Sequence, residues 1–78
     1  MSIDFASLLS PEQKRNLLEN RIQQFASEAY QYTLNLKTAE EVGTEDQVDG
    51  IKKSIAVLES AIKVHQEELK VLPAPPAE

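Results

Sequence analysis

His65 is the first of the few side chains in this sequence that could carry out chemistry. It is the single histidine of a chain of 78 residues, and Glu67 and Glu68 follow it closely. A histidine beside carboxylates occurs in acid–base and metal sites because imidazole titrates near neutral pH. One such group is a weak pattern, and the sequence has no cysteine, no glycine-rich phosphate loop and no serine–aspartate–histidine set. The sequence therefore predicts a protein that is not an enzyme and that needs no cofactor or metal. His65 is then either a histidine held at the edge of a core or a pH-sensitive, ligand-contacting group.

Basic and aromatic side chains offer a second kind of chemistry, the binding of a small anion. The candidate ligand residues are Arg21, Lys63, His65 and Tyr30. Tyr30 points away from the expected core, where its ring can anchor an interface or stack on a ligand ring. Tyr32 is expected to lie in the core with its hydroxyl at the rim. An anion pocket would require a second chain to bring these groups together.

The charge balance limits the classes of partner. Eight Lys and Arg residues stand against thirteen Asp and Glu, a net charge of −5. An acidic surface does not neutralise phosphates, so no duplex nucleic-acid partner is expected. No apolar run reaches the roughly 20 residues of a membrane span. The first residues also lack the basic start and apolar stretch of a signal peptide. These features predict a soluble, cytoplasmic protein without a membrane partner.

Local signals divide the chain into two helices. Residues 1–9 form an N-terminal arm, and "SPEQ" supplies a capping box, with Ser10 as N-cap, proline at the first helical position and Gln13. The first helix is predicted over residues 10–42. A turn at 43–44 follows, in which Gly43 takes the left-handed conformation that often ends a helix. Thr44 and Gln47 repeat the capping box, and the second helix is predicted over 45–72. A flexible proline-rich tail is predicted over 73–78.

Both helices carry apolar residues at alternating spacings of three and four, the heptad pattern of packed helices. The two expected seams are Leu18, Ile22, Phe25, Ala29, Tyr32, Leu36 and Ala39 in the first helix, and Val48, Ile51, Ile55, Leu58, Ile62, His65, Leu69 and Leu72 in the second. Folding at the turn pairs residues whose numbers sum to 87, for example Leu36 with Ile51. The predicted fold class is all-α, an antiparallel, coiled-coil-like two-helix hairpin that assembles into a helical bundle.

A hairpin of this size leaves apolar side chains outside its seam. Small domains usually need a disulfide, a metal or a partner subunit for stability, and without cysteine the partner is the remaining choice. One interpretation is that the N-terminal arm folds back over one flank. The other is self-association, most simply a two-fold dimer that forms a four-helix bundle. The interface candidates are Ile3, Phe5, Tyr30, Leu34, Val57, Ala61, Val64 and Val71.

The two helical segments together resemble a known class of protein. "SPEQKRNLLENRIQQFASEAYQYTLNLKTAEE" and "AVLESAIKVHQEEL" are similar in size, architecture and texture to the small helical-hairpin proteins encoded by phage accessory genes. The resemblance implies a virion or assembly adaptor, or a small inhibitor that binds or sequesters a component of host defence in the host cytoplasm. The leading expectation is a non-enzymatic, homo-oligomeric protein-interaction module. The alternatives are an oligomer that holds a nucleotide or other small anion between subunits, and a virion or assembly component.

Overall fold

Two long helices that run in opposite directions make up nearly all of the described structure. The computed structural model describes residues 3–73, and within that range it contains no strand. A short 3₁₀ helix, Phe5–Leu8, precedes helix α1, Pro11–Val42, and helix α2, Glu45–Val71. The two long helices pack against each other, so the predicted all-α hairpin is confirmed. Apart from Pro73, the predicted tail lies outside the described residues.

Both N-terminal capping boxes are present. The hydroxyl of Ser10 accepts the backbone N–H of Gln13 at 3.1 Å, and the Gln13 side chain accepts the N–H of Ser10 at 2.8 Å. Thr44 and Gln47 repeat the exchange at 3.2 and 3.0 Å. Each box satisfies donors that the first helical turn would leave unpaired. These local bonds fix where each helix starts.

The expected left-handed conformation at Gly43 is wrong. Gly43 is extended, with φ −98° and ψ −175°, and its N–H donates to the carbonyl oxygen of Ala39 at 2.8 Å. Glycine is required there for space. A Cβ at Gly43 would lie 2.6 Å from Oε1 of Gln47 and 2.8 Å from the Ala39 carbonyl oxygen. The last turn of α1 and the capping box of α2 therefore lie against each other at Gly43, and the turn between the helices is tight.

Replacing Gly43 by alanine is expected to lower the free energy of unfolding by about 1–3 kcal/mol, because the added methyl must displace the Gln47 cap or the Ala39 backbone. Gly50→Ala is the matched control, since a Cβ there meets nothing within 4 Å. Gly50→Ala should raise stability by roughly 0.5–1 kcal/mol through helix propensity. Urea denaturation of both variants at one protein concentration tests the pair. Equal shifts in the same direction would contradict the crowded turn.

The core is a single seam with little depth. Leu58, 8% exposed, is the one buried side chain among residues 3–73. Apart from Tyr32, the other seam residues are half-buried, as two helices alone can cover only one stripe of each other. The half-buried apolar residues of the seam are Leu18, Ile22, Phe25, Ala29, Leu36 and Ala39 on α1, Val48, Ile51, Ile55, Ile62 and Leu69 on α2, and Leu72 directly after α2. Most of the surface of both helices therefore faces outward.

Tyr32 does not lie in the core as expected. Its side chain is 37% exposed, and the neighbouring Thr33 is half-buried instead. The departure from the predicted seam is confined to this turn, because the next predicted seam residues, Leu36 and Ala39, are half-buried. The Thr33 hydroxyl donates to the Ala29 carbonyl at 2.9 Å, which allows a polar residue to sit at the seam.

Two polar contacts between the helices define their register. The guanidinium of Arg21 contacts His65, and that of Arg15 donates to the carbonyl of Pro73. The first pair, 21 and 65, sums to 86, and the second pair, 15 and 73, sums to 88. These values lie on either side of the expected 87. The open half of the hairpin therefore keeps the predicted register to within one residue.

The N-terminal arm does not cover a flank of the hairpin. In its described part, residues 3–9, the 3₁₀ helix packs against neither long helix, and Ile3, Phe5 and Leu8 are exposed. The short helix is held by local bonds, such as the Ser7 hydroxyl donating to the Asp4 carbonyl at 2.8 Å. A single copy of the chain thus leaves its apolar flanks open. Separately, none of the helices within residues 3–73 has the length and apolar character needed to cross a membrane.

Candidate interaction surface

A stripe of apolar residues runs along α2 beside the seam. We call Val57, Ala61, Val64 and Val71 the valine stripe. The three valines are 68%, 56% and 75% exposed, and Ala61 is half-buried against α1. Val57, Ala61 and Val64 are four and three residues apart, and residues at these spacings are neighbours on a helix surface. Val57, Ala61 and Val64 therefore form a continuous ridge that the hairpin itself does not cover, and the exposed Glu68 separates them from Val71.

An open groove of about 630 Å³ continues the valine stripe toward the turn. It lies between the helices on the side of α2 that carries Gly50 and Ser54, and Asn35, Thr38 and Val42 form its α1 wall. Gly50 and Ser54 leave room because their side chains are absent or small. The Ser54 hydroxyl donates to the Gly50 carbonyl at 3.2 Å, so it needs no outside partner. Sequence reasoning alone did not identify this groove, although the glycine and serine at heptad spacing mark it.

Tyr30 and Leu34 form a separate apolar area on α1. Tyr30 is 64% exposed and Leu34 is 45% exposed. They are four residues apart and so adjoin each other on the surface of α1. With the arm residues Ile3 and Phe5, they complete the predicted set of interface candidates. All eight candidates except Ala61 are exposed in the hairpin.

His65 belongs to a compact cluster with Arg21 and Phe25. Nε of Arg21 donates to Nε2 of His65 at 3.0 Å, and Nδ1 of His65 lies 2.7 Å from the Ala61 carbonyl oxygen. Both bonds form together only when the neutral imidazole carries its proton on Nδ1. The His65 ring meets Phe25 edge-on, with centroids 5.0 Å apart, and the Arg21 guanidinium lies 5.2 Å from the Phe25 centroid. Both ring nitrogens are thus occupied in tying α1 to α2.

Removing this tie is expected to weaken the hairpin moderately. Arg21→Ala loses one hydrogen bond and one cation–π contact at a solvent-exposed position, so the free energy of unfolding should fall by about 1 kcal/mol. Lys63→Ala, at an exposed lysine of α2, is the control and should change stability by less than about 0.5 kcal/mol. Thermal unfolding followed by circular dichroism measures both. If Arg21→Ala has no larger effect than Lys63→Ala, the cluster does not hold the helices together.

The four candidate anion-binding residues do not form one site within a chain. The structure brings Arg21 and His65 together. Lys63 lies two residues from His65, about 200° round α2, and Tyr30 lies nine residues from Arg21, about half a turn round α1. Lys63 and Tyr30 therefore point away from the Arg21–His65 pair. The part of the chain that the structure describes also holds no group of three acidic or histidine side chains suited to a metal ion.

Comparison with protein-family models, with curated proteins and with solved structures found no match to this chain. The interpretation of the surface therefore depends on the geometry of the hairpin itself.

Proposed function

We propose that the protein is a non-enzymatic, homo-oligomeric interaction module. In this proposal the valine stripe binds another copy of the chain, and the resulting helical bundle presents its remaining apolar areas to a different protein. The resemblance to phage-encoded hairpin proteins fits an adaptor or an inhibitor that acts in the cytoplasm of the host. The chemistry of such a module is recognition by shape and burial, without any reacting group.

The observation that carries the proposal is the exposure of the valine stripe. Val57 and Val64, both more than half exposed, form one ridge with Ala61 on a helix whose other apolar face is already packed, and Val71 extends the stripe beyond Glu68. Contiguous apolar patches on small proteins usually mark contact surfaces. The seam has a single buried side chain, Leu58, among the described residues. Burying the stripe would add apolar contacts that this seam alone does not supply. Self-association therefore contributes both stability and function.

The role of His65 supports a function without catalysis. The imidazole is the side chain best suited to acid–base work in this sequence, and its two nitrogens are bonded to Arg21 and to the Ala61 carbonyl. A general base needs a free nitrogen within hydrogen-bond reach of a substrate. His65 would have to break a helix–helix contact to provide one. Its place in the structure suits a packing role.

The alternative of a small anion held between subunits has less support. Arg21 is engaged with His65 and Phe25, and Lys63 and Tyr30 point elsewhere. A second copy would have to supply most of the positive charge of such a pocket. An acidic chain with a net charge of −5 does not favour anion binding over its general surface.

The mass of the particle in solution tests the proposed function. Size-exclusion chromatography with light scattering should give at least twice the chain mass of 8.7 kDa at micromolar concentrations. The mass should fall toward that of one chain only on strong dilution, since the association is reversible. A constant mass of one chain from micromolar to millimolar protein would overturn the proposal.

A further inference from the structure

We infer that two copies associate through antiparallel α2 helices, in the register that places Val57 of one copy against Ala61 of the other. This inference rests on the proposed self-association and adds its geometry. It assigns one surface, one partner and one alignment. The partner is a second copy of this chain.

The valine stripe belongs to a second heptad series on α2. Each member lies one residue before a member of the seam, and the spacings again alternate between four and three. The series is Gly50, Ser54, Val57, Ala61, Val64, Glu68 and Val71. A helix with two adjacent series of this kind can pack against two neighbours at once. α1 occupies the first series, and the second is left for another helix.

Side-chain size selects the alignment within an antiparallel pair. Packed helices interdigitate best when a large side chain faces a small one. Setting facing residue numbers to sum to 118 places Val57 against Ala61 (57 and 61) and Val64 against Ser54 (64 and 54). The two-fold axis repeats both contacts, so the central valines all meet small partners. Ser54 can be buried there because its hydroxyl already donates to the Gly50 carbonyl.

Charge supports the same alignment. Lys53 and Glu67 are both exposed and both flank the stripe, because Lys53 is four residues before Val57 and Glu67 is three residues after Val64. In the antiparallel alignment that sums to 118, Lys53 of each copy is level with position 65 of the other, so it lies within about 3 Å of Glu67 along the helix axis. A parallel pair would instead set lysine against lysine and glutamate against glutamate. Opposite charges across the interface favour the antiparallel choice.

Shifting one α2 helix along the other by one heptad weakens either the match in side-chain size or the match in charge. A shift to pairs that sum to 125 moves Glu68 from Gly50 (50 and 68) to Val57 (57 and 68), which brings a carboxylate beside a central valine. A shift to pairs that sum to 111 separates Lys53 from Glu67. Of the three alignments, only the one that sums to 118 both places the central valines against small side chains and brings Lys53 close to Glu67.

The groove near the turn fits this arrangement. In the alignment that sums to 118, Val71 of one copy reaches the level of Gln47 of the other (71 and 47). Gln47 and Gly50 line the groove, whose volume of about 630 Å³ exceeds a valine side chain many times over. Val71, the most exposed of the three stripe valines, thereby enters a space on the second copy. The polar α1 wall, with Asn35 and Thr38, stays at the rim of the interface.

Thiol cross-linking tests the arrangement directly, because the chain has no cysteine of its own. Lys53→Cys and Glu67→Cys variants are mixed and treated with a short bismaleimide. We expect a cross-link between the two variants and little within either alone, since two copies of position 53 would lie about 18 Å apart along the helix axis, the distance from 53 to 65 at 1.5 Å per residue. Asp49→Cys mixed with Lys63→Cys is the matched control. These two positions are also 14 residues apart, but they directly precede the d-type members Gly50 and Val64 of the series and so lie farther round α2 from the interface. Lys53 and Glu67 instead precede the a-type members Ser54 and Glu68, which places them beside the interface.

The outcomes separate this inference from the proposed function. Cross-linking of Lys53→Cys with itself would overturn the antiparallel direction. A doubled mass without the mixed cross-link, or with equal cross-linking of the control pair, would overturn the alignment and leave self-association standing. A mass of one chain for the untreated protein would overturn both.

Charge reversal provides a second test that leaves the apolar contacts in place. Lys53→Glu should weaken association about tenfold, because both symmetric pairs become repulsive. Adding Glu67→Lys to the same chain should restore it, whereas Lys63→Glu should have no such effect. Sedimentation velocity at low salt measures the dissociation constants. Failure of the double variant to recover would overturn the proposed pairing of Lys53 with Glu67.

Discussion

Replacing Leu58 by alanine is expected to lower the free energy of unfolding by about 2–5 kcal/mol, the largest effect of any single truncation in the hairpin. Leu58 is 8% exposed, and no other side chain among residues 3–73 is buried. Removing its branched end deletes apolar contacts and leaves a cavity that a two-helix seam has little means to fill. Small domains are stable by only about 5–15 kcal/mol, so the loss is a large part of the total.

Urea denaturation followed by far-UV circular dichroism measures this loss, with the protein concentration held fixed because association adds to stability. Leu17→Ala is the matched control. Leu17 is 47% exposed, so the same truncation should cost less than about 1 kcal/mol. Similar losses for the two variants would mean that the centre of the core is not at Leu58.

Replacing Val64 by glutamate is expected to abolish association while the hairpin stays folded. Val64 is 56% exposed, so a longer polar side chain meets no steric barrier within the chain. In the assembled protein the two-fold axis would bury two unpaired carboxylates among valines. A penalty of about 3 kcal/mol, which is modest for such burial, weakens association more than a hundredfold.

Sedimentation equilibrium measures the mass of the Val64→Glu variant, and circular dichroism confirms that its helix content is unchanged. Leu34→Glu is the control, because it places the same carboxylate on an exposed apolar residue of α1, away from the valine stripe. Leu34→Glu should keep the wild-type mass. Dissociation by Leu34→Glu and not by Val64→Glu would move the self-association surface to the Tyr30–Leu34 area.

The hairpin could be predicted from the sequence because its signals are local. Ser10 with Gln13, and Thr44 with Gln47, are capping boxes whose bonds lie within one turn of helix. The heptad spacing of the seams then fixes which faces meet, and a short turn leaves one register. Propensity, capping and periodicity agree here, and such agreement specifies a structure well.

The errors arose where a residue's environment depends on neighbours beyond its own turn. The conformation of Gly43 depends on where the Gln47 side chain and the Ala39 carbonyl come to lie, so a general rule about helix ends gave the wrong geometry. Thr33 takes the half-buried position that the heptad pattern assigned to Tyr32, although Leu36 and Ala39 keep theirs. The Thr33 hydroxyl satisfies its own hydrogen bond on the Ala29 carbonyl, a contact that a pattern of apolar residues does not contain.

The candidate surface was predictable in part. The exposed valines follow from the heptad position beside the seam, whereas the Arg21–Phe25–His65 cluster required the side-chain geometry between helices. Arg21, Lys63 and Tyr30 were grouped because of their charge and ring type. Neither property shows in which direction a side chain points from its helix. The groove beside Gly50 is formed by small side chains on α2, and it becomes visible only when α1 is placed opposite.

An isotope-filtered NOE experiment on an equal mixture of ¹³C-labelled and unlabelled chains tests the central claim most directly, because it detects only contacts between copies. If a second chain covers the valine stripe, we expect intermolecular signals between the methyl groups of Val57 and the methyl group of Ala61. Intermolecular signals confined to Tyr30 and Leu34, or none from the valines at millimolar protein, would contradict the account.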